Sequence, residues 1–195
     1  WKILAASDYG VPQKRKRIIV VSIRKDVAES IGITSDQDVL RVFPMPTSGM
    51  VTTRSALNNL EQTARDVRPY VKAMQLSHVL HLLGDLRGSS SRHQRLRNAD
   101  TNFSLVRCSW DLPAPTLVIA GQKPDYRCGT IHPEEDRKFT VPELKRLFGL
   151  PDDFALTGTL DQAVECICNM VPPFMTKAIS QSIYEKVLKP YRELT

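Results

Sequence analysis

Three polar side chains at alternate positions, Gln13, Arg15 and Arg17, stand where an apolar strand is predicted to begin. In a strand, side chains two positions apart share a face and lie about 6.5–7 Å apart, so Lys14 and Lys16 share the other face. Arginine keeps its charge and its fork matches phosphate or carbonyl oxygens, whereas an amide both donates and accepts. This row suits a phosphodiester and a base edge together. A solvated basic run or a nuclear-localisation tract would also read KRKR.

The composition is that of an ordinary globular chain. The 195 residues are 42% hydrophobic and 25% charged, which allows one compact domain or two small ones. No apolar run approaches the ~20 residues that cross a bilayer, so a membrane span is excluded. A net charge of +6 and a pI ≈ 9.3 favour a polyanionic partner such as nucleic acid.

The four cysteines form no metal-binding or disulfide pattern. Because none has C-x-x-C spacing and no paired histidine motif accompanies them, we expect neither a metal site nor a disulfide framework. Reduced thiols in a cytoplasmic protein are the simpler interpretation. The cysteines are Cys108, Cys128, Cys166 and Cys168.

The N-terminal part is typical of an α/β sheet. Strands are predicted over Lys2–Ala6 and Ile18–Ile23, with a turn over Ser7–Gln13 between them. The Pro/Gly/Ser stretch Phe43–Met50 indicates a domain boundary nearby. Helices are then predicted over Thr53–Leu60 and Tyr70–Leu83.

The middle of the chain is predicted to hold a loop and two short strands. Arg87–Asp100 contains four arginines and one histidine, with no acidic residue before its last position, and this composition indicates a loop. The turn-forming sequence GQKPD separates the two predicted strands, Ala114–Gly121 and Tyr126–Ile131.

The C-terminal third is predicted to be helical. Thr140 and Glu143 form a capping box that opens a helix ending at Phe148, before Gly149. Further helices are predicted over Leu160–Cys168 and after Pro172–Pro173. The last helix carries an apolar stripe and is expected to dock against another surface. The members of the stripe are Phe174, Ala178, Ile179, Ile183 and Val187.

Several ordered segments of the sequence resemble the cytosine-5 DNA methyltransferases. ASDYGVPQKRKRIIVVSIR resembles the family's Tyr-Gly-hydrophobic-Pro-Gln turn with Gln-x-Arg-x-Arg on the following strand. Downstream, FPMPTSGMVTTRSALNNL, WDLPAPTLV, HPEEDRKFTVPELKRLFGLPDDF and CNMVPPFMTKAIS resemble its linker, target-recognition segment and last two motifs. The resemblance covers most of the chain.

The resemblance implies an α/β fold in three parts. Residues 1–25 are expected to form the edge of a Rossmann-like, S-adenosylmethionine-dependent methyltransferase domain. Residues 26–136 are expected to form a mixed α+β target-recognition domain. The C-terminal helices, residues 137–195, are expected to return to the catalytic domain.

The resemblance gives supporting catalytic roles to Gln13, Arg15 and Arg17, which are called the opening row below. It implies that Arg17 bonds the O2 side of a flipped cytosine, that Arg15 contacts the DNA backbone, and that Gln13 bridges the active-site loop and the DNA. Nucleophilic addition to cytosine pushes electron density onto N3 and O2, so a fixed cation beside O2 stabilises the transition state most. The base is flipped because its C5 and C6 atoms are inaccessible in the stack.

DNA contacts are also implied in the recognition region. Thr116 and Leu117 match the family's Thr-Leu pair, although an ordinary hydrophobic strand would carry the same residues. The arginine-rich loop is predicted to reach a groove, with Ser89–Ser91 bonding phosphates; a solvated surface loop is the alternative. The candidate DNA-binding residues of this loop are Arg87, Arg92, Arg95 and Arg97.

The last two motifs imply an organising role and a cofactor contact. Asn169 and Met170 are expected to contact S-adenosylmethionine. Cys168 stands where the family has glycine and cannot easily take φ > 0, so either that freedom is not needed or cofactor binding is altered. The penultimate motif is expected to organise the recognition domain without taking part in catalysis. Its residues are Arg137, Phe139 (leucine in the family), Thr140, Glu143 and Arg146.

Other catalytic motifs of the family do not occur in the sequence, which holds no Phe-x-Gly-x-Gly loop, no Pro-Cys nucleophile and no Glu-Asn-Val. The chain also starts at Trp1. We therefore expect the C-terminal portion of a bacterial cytosine-5 methyltransferase, which binds duplex DNA and is inactive without the N-terminal catalytic portion. Self-association through an exposed last helix is also expected.

Three other interpretations remain open at this stage. The chain could be a DNA-binding subunit that complements a separately encoded catalytic chain, a non-enzymatic DNA-binding regulator of the same descent, or an RNA-methylating relative. The sequence does not separate restriction-linked modification from a solitary methylase, and it does not reveal the DNA sequence recognised.

Overall fold

The computed structural model describes residues 1–47, 49–60, 94–97, 104–119, 129–135 and 137–194. The strands in these ranges form one two-stranded and one three-stranded sheet. Within the same ranges, no helix is long and apolar enough to pass through a membrane.

The first sheet is an antiparallel hairpin. β1 (Lys2–Ala5) pairs with β2 (Lys16–Ile19). The chain leaves β1 through a 3₁₀ turn over Ala6–Tyr9, which ends at Gly10 with a φ of 80° that glycine tolerates. The first predicted strand is confirmed. The second, predicted over Ile18–Ile23, starts and ends earlier, because β1 offers no partner to the residues beyond β2.

Two short helices follow that the sequence pattern did not predict, α1 (Lys25–Ser30) and α2 (Asp36–Val42). The second opens with a capping box in which Ser35 and Asp38 each bond the backbone of the other. That box is the kind of signal that was recognised at Thr140, so α2 could have been predicted. The prediction failed because the apolar periodicity is weak over seven residues.

The next helix confirms a predicted element. α3 (Thr53–Leu57) is capped by the Thr52 side chain, which accepts a hydrogen bond from the amide of Ser55, and it ends before the predicted limit at Leu60. The predicted helix Tyr70–Leu83 lies outside the described residues.

The second sheet has the order β3-β4-β5. β3 (Gln94–Arg97) pairs antiparallel with β4 (Ser104–Arg107), which pairs in parallel with β5 (Gly129–Ile131). The prediction of a loop at residues 94–97 was wrong, because pairing with a distant strand overrides the polar composition. β5 confirms the end of the strand predicted over Tyr126–Ile131, whose first three residues are not described.

The strand predicted over Ala114–Gly121 was wrong for its described residues. Ala114 alone makes an isolated parallel bridge, with Gln13. Pro115 follows directly and has no N–H to donate, so it cannot extend the ladder.

The C-terminal helices match the predictions closely. α4 (Val141–Phe148) opens with the Thr140–Glu143 capping box and ends at Gly149, whose φ is 75°. α5 (Leu160–Asn169) and α6 (Pro173–Ile183) follow, and α6 continues through a π-helical turn into a final helix. The turn spans Tyr184–Leu188 and the final helix, α7, spans Lys189–Leu194.

Two apolar cores hold these elements together. The first joins α4 and α5 to the segment around residues 108–117, and the second joins the β1–β2 hairpin to α6 and to Phe43. The first core includes Cys108, Ala114, Leu117, Phe139, Leu144, Leu147, Phe148, Val164, Ile167 and Cys168. The second includes Leu4, Ala6, Tyr9, Val11, Phe43 and Met175.

Two side-chain hydrogen bonds connect the end of helix α2 to the C-terminal helices. The Ser182 hydroxyl donates to the Val42 carbonyl at 2.7 Å, and the Lys186 ammonium donates to the Arg41 carbonyl at 2.8 Å. These bonds satisfy carbonyls that a helix end leaves without intrahelical partners. The domain boundaries at residues 25/26 and 136/137 stay predictions.

Candidate functional site

Gln13 lies just before β2, and its neighbour Lys14 donates its amide to the Ala114 carbonyl at 2.8 Å. The Gln13 side chain is fully buried. Its Nε2 donates to the Leu147 carbonyl at 3.4 Å, and its Oε1 accepts the Leu117 amide at 3.3 Å. The amide thus uses both its donor and its acceptor inside the protein, and it links the end of α4 to the 114–117 segment.

Arg15 makes the corresponding contacts two residues later. Its side chain is 2% exposed. Nη1 donates to the Leu117 carbonyl at 3.1 Å and Nη2 to the Cys168 carbonyl at 2.6 Å. The guanidinium carbon also lies 5.4 Å from the centroid of the Phe148 ring, within cation–π range.

These contacts explain the alternate spacing and correct its interpretation. The carbonyls of Leu147 and Cys168 belong to the last turns of α4 and α5, where helical carbonyls lack partners and the helix dipole favours a cation. Gln13 and Arg15 therefore face inward and bind helix ends. Because both are buried, they do not present the row of open donors towards DNA that the sequence predicted.

Arg17 is the member of the row that reaches solvent. It is half-buried, stands opposite Leu4 in the β1–β2 register, and donates from Nη1 to the Lys16 carbonyl at 2.8 Å. Burial lowers the pKa of its guanidinium. Lys14 and Lys16, on the other face, are exposed. Arg17 is therefore the member of the row whose side chain is partly open to solvent.

The Thr116–Leu117 segment is held by the same row. The Thr116 hydroxyl donates to the Lys14 carbonyl at 2.9 Å, while the amide and the carbonyl of Leu117 are taken by Gln13 and Arg15. The Leu117 side chain has 0% exposure and packs in the first core. Its predicted contact with DNA is thus not available to the side chain here, whereas Thr116 is only partly buried.

The predicted DNA-binding arginines divide into two pairs. Arg87 and Arg92 lie outside the described residues. Arg95 and Arg97 lie on β3, where Arg95 stands opposite Val106 and Arg97 opposite Ser104. A regular strand, rather than a loop, therefore carries this pair.

The penultimate motif forms a buried ion cluster. Arg137 donates from Nη1 and Nη2 to the Glu143 carboxylate at 2.7 and 2.8 Å, and from Nε and Nη2 to Glu135 at 3.0 and 2.9 Å. Burial opposes ionisation of both members of the inner pair. The hydrogen bonds and the charge attraction between Arg137 and its carboxylate partners outweigh this effect of burial. The pKa of Glu143 is therefore lowered and that of Arg137 is raised. The organising role predicted for Thr140 and Glu143 matches their capping box.

His132 completes this cluster and was missed by the sequence analysis. Its Nδ1 accepts the backbone amides of Glu134 and Glu135 at 3.3 and 3.1 Å, and its Nε2 lies 3.7 Å from Glu143 Oε1. Burial, with the nearby Arg137, lowers its pKa despite the surrounding carboxylates. A histidine before a proline offers no sequence signal for this role, because the cluster forms only in three dimensions.

Arg146, the last residue of the same motif, ties α4 to two loops. Nε and Nη2 bond the Asp152 carboxylate at 2.8 and 2.6 Å, and Nη1 donates to the Asn58 carbonyl at 2.6 Å. The contacts of this arginine therefore orient α3 relative to α4.

The predicted cofactor residues follow directly on the carbonyl that Arg15 binds. Asn169 is the last residue of α5 and is exposed, and Met170 caps the helix with φ −66° while packing partly against the first core. Cys168 is buried within the helix itself. Since it takes no left-handed conformation, the glycine of the family pattern is not needed here. The contact of Asn169 and Met170 with a cofactor stays a prediction.

An exposed apolar surface lies on the hairpin. Ile18 is 66% exposed and Val20 70% exposed, with Trp1 and Ile3 also open. These four residues are called the open sheet face below.

The predicted helical stripe is mostly covered within the chain. Val187 is buried, Ala178 and Ile179 pack on the second core, and Phe174 remains exposed. Self-association through this helix stays a prediction.

Comparison with known proteins gives consistent matches. The family profile "C-5 cytosine-specific DNA methylase" matches residues 1–185. The type II methyltransferase M.Eco47II of Escherichia coli is 31% identical over 196 residues, covering 93% of this chain and 44% of the relative. M.PspPI of Psychrobacter sp. is 28% identical, with 93% and 44% covered. The chain thus spans less than half the length of these relatives.

A solved structure shares the fold. It comes from an Escherichia coli prophage and is described as that of a candidate DNA modification methyltransferase. It superposes with a TM-score of 0.60 at 20% identity, covering 96% of this chain and 60% of that one.

Proposed function

The chain belongs to the C-5 cytosine-specific DNA methylase family, and we propose that it is the part of a DNA (cytosine-5-)-methyltransferase that binds duplex DNA and presents the target cytosine. The complete enzyme transfers a methyl group from S-adenosylmethionine to C5 of cytosine. The supporting observation is the contact set of Arg15. Its guanidinium joins the Gln-x-Arg-x-Arg segment to the Thr-Leu segment and to the end of α5. The family resemblance implies that the first segment contacts the base, the second the DNA, and the third the cofactor.

Arg17 is the proposed contact to the flipped base. It is the half-buried member of the row, so its cation is partly shielded from water while its side chain reaches the surface. A cation in such surroundings stabilises charge on cytosine O2 more strongly than it would in bulk water. The planar fork also gives the base edge a defined orientation.

The DNA duplex is proposed to lie along Thr116 and β3. Thr116 has a hydroxyl that the fold holds by its bond to the Lys14 carbonyl, and β3 carries Arg95 and Arg97 on a paired strand. Arg87 and Arg92 are proposed to extend this surface. Phosphate contacts of this kind set the register of the duplex without reading its sequence.

Asn169 and Met170 are proposed to hold part of S-adenosylmethionine, which supplies the methyl group when bound. The Asn169 amide is free to bond polar groups because it is exposed at the end of α5. Met170 provides an adaptable apolar contact.

The open sheet face is proposed to be covered by the N-terminal catalytic portion of the same enzyme. A two-stranded hairpin is marginally stable alone, and its four apolar side chains form a patch of the kind that marks an interface. The chain is proposed to be inactive by itself, because it holds no Pro-Cys or Glu-Asn-Val motif. A cytoplasmic location is part of the same proposal.

The proposal is tested by methyl transfer from labelled S-adenosylmethionine to long mixed-sequence duplex DNA. The chain is assayed alone, and again after mixing with the N-terminal portion of a family member such as M.Eco47II. We expect no transfer alone and transfer on mixing. A matched control carries Ile18→Lys and Val20→Lys on the open sheet face, which should prevent complementation while the chain still folds. Transfer by the chain alone would contradict the proposal.

A further inference from the structure

We propose that Arg15 is a positioning residue that couples DNA binding to cofactor binding, so that each ligand raises the affinity for the other. This inference rests on the proposed function. It goes beyond that function because it assigns the coupling to one buried side chain that contacts neither ligand.

Arg15 binds the backbone carbonyls of two residues, and each of them is the sequence neighbour of a proposed ligand contact. The carbonyl bound by Nη1 is that of Leu117, which follows Thr116, and the carbonyl bound by Nη2 is that of Cys168, which precedes Asn169. Because the guanidinium is planar and rigid, its two terminal nitrogens hold a constant separation. A shift of either carbonyl therefore changes the hydrogen bond to the other.

Burial makes the two bonds depend on each other. Arg15 is 2% exposed, and its side-chain hydrogen bonds within the described part of the chain are those to the two carbonyls. Without one of these acceptors the buried cation would be poorly solvated, which is costly. The Phe148 ring, 5.4 Å from the guanidinium, limits the reorientation that could compensate. The segments at 116–117 and 168–170 are thus expected to be ordered together.

This linkage has a thermodynamic consequence. A ligand that orders the Thr116–Leu117 segment also orders the end of α5, so a second ligand binding at Asn169 has less disorder to remove. The effect is reciprocal, since coupling between two binding equilibria must be equal in both directions.

The first test uses the complemented enzyme. S-adenosylhomocysteine is titrated by calorimetry with and without a long mixed-sequence duplex, for the natural chain and for Arg15→Lys and Arg15→Met. We expect the duplex to tighten binding about tenfold in the natural enzyme, and we expect both variants to lose most of that factor. Arg24→Met is the matched control, because Arg24 is an exposed arginine that pairs with Asp26. An unchanged factor in both Arg15 variants would overturn the inference.

The second test needs no ligand and uses this chain alone. Amide hydrogen exchange is followed at 116–117 and at 168–170. We expect Arg15→Met to speed exchange in both segments together and Arg24→Met to change neither. Methionine fills a similar volume without leaving a buried charge, so this variant is expected to fold. Faster exchange in one segment alone would overturn the inference. Failure of the natural enzyme to bind either ligand, with exchange coupled as expected, would locate the failure in the proposed function.

Discussion

Arg137 and Glu143 form a two-point ion pair, with Nη1–Oε2 at 2.7 Å and Nη2–Oε1 at 2.8 Å, and both side chains are buried. Glu143 also accepts the Thr140 amide at 2.7 Å. The same carboxylate therefore opens α4 and anchors the turn that follows β5. A charge this far from water is tolerated because each of its oxygens has a donor.

The first prediction concerns this pair. Arg137→Met should lower the free energy of unfolding by about 3–5 kcal/mol, because it leaves a buried carboxylate without its cation. Urea denaturation followed by circular dichroism measures the change. The double variant Arg137→Met, Glu143→Leu should recover much of this stability, since it removes both charges. If the double variant were as unstable as the sum of the single ones, the ion pair would not be the cause.

The second prediction is a dependence of stability on pH through His132. Its pKa is lowered in the folded protein, mainly by burial, with Arg137 adding to the effect and Glu134, Glu135 and Glu143 opposing it. The unfolded chain, with an ordinary histidine pKa of about 6.5, therefore binds a proton more readily than the folded one. The contribution of His132 to the free energy of unfolding should be fully present above about pH 6.5. It should be lost as the pH falls towards and through the pKa of His132 in the folded protein.

The measurement for His132 is the urea midpoint between about pH 7 and pH 5, above the range in which carboxylates titrate. His132→Asn keeps an acceptor near the Nδ1 position but has no proton to gain. It should flatten the profile in this window. A profile equally steep in the variant would show that another group titrates.

The third prediction separates binding from chemistry at Arg17. In the complemented enzyme, Arg17→Ala should lower the rate of the methyl-transfer step about 10²–10³-fold, the effect of removing one oxyanion-type donor. DNA affinity should change far less, because the contact strengthens only as charge develops on the base. Single-turnover assays and filter binding give the two values. Arg17→Lys keeps the charge without the planar fork, so its methyl-transfer rate should lie between those of the natural enzyme and Arg17→Ala. Equal losses in rate and in affinity would refute the assignment.

The fourth prediction concerns Arg95 and Arg97. Replacing both by glutamine should weaken DNA binding and reduce the slope of log affinity against log salt by about 1 for each phosphate that an arginine no longer neutralises. Fluorescence anisotropy across a salt series measures it. Arg24→Gln, at an exposed arginine in a surface ion pair, is the control that should keep the full slope. An unaltered slope in the double variant would remove this pair from the DNA surface.

Local signals in the sequence determined much of this protein. The capping box of Thr140 and Glu143 and the stop at Gly149 each act over a few residues, so the two ends of α4 could be predicted. The ordered motifs likewise indicated the family that the profile over residues 1–185 confirms. Strand β3 was predicted as a loop because its pairing with β4 is not encoded in its own composition.

The tertiary structure alone decided which way the opening row faces. Alternate spacing shows that Gln13, Arg15 and Arg17 are related, but it does not say what stands opposite them. The partners of Arg15 lie 102 and 153 residues away in sequence. They are carbonyls at a loop and at a helix end, which no side-chain pattern reports. The inward direction of Gln13 and Arg15 follows from the need of those buried carbonyls for donors, and that need exists only once the helices have packed.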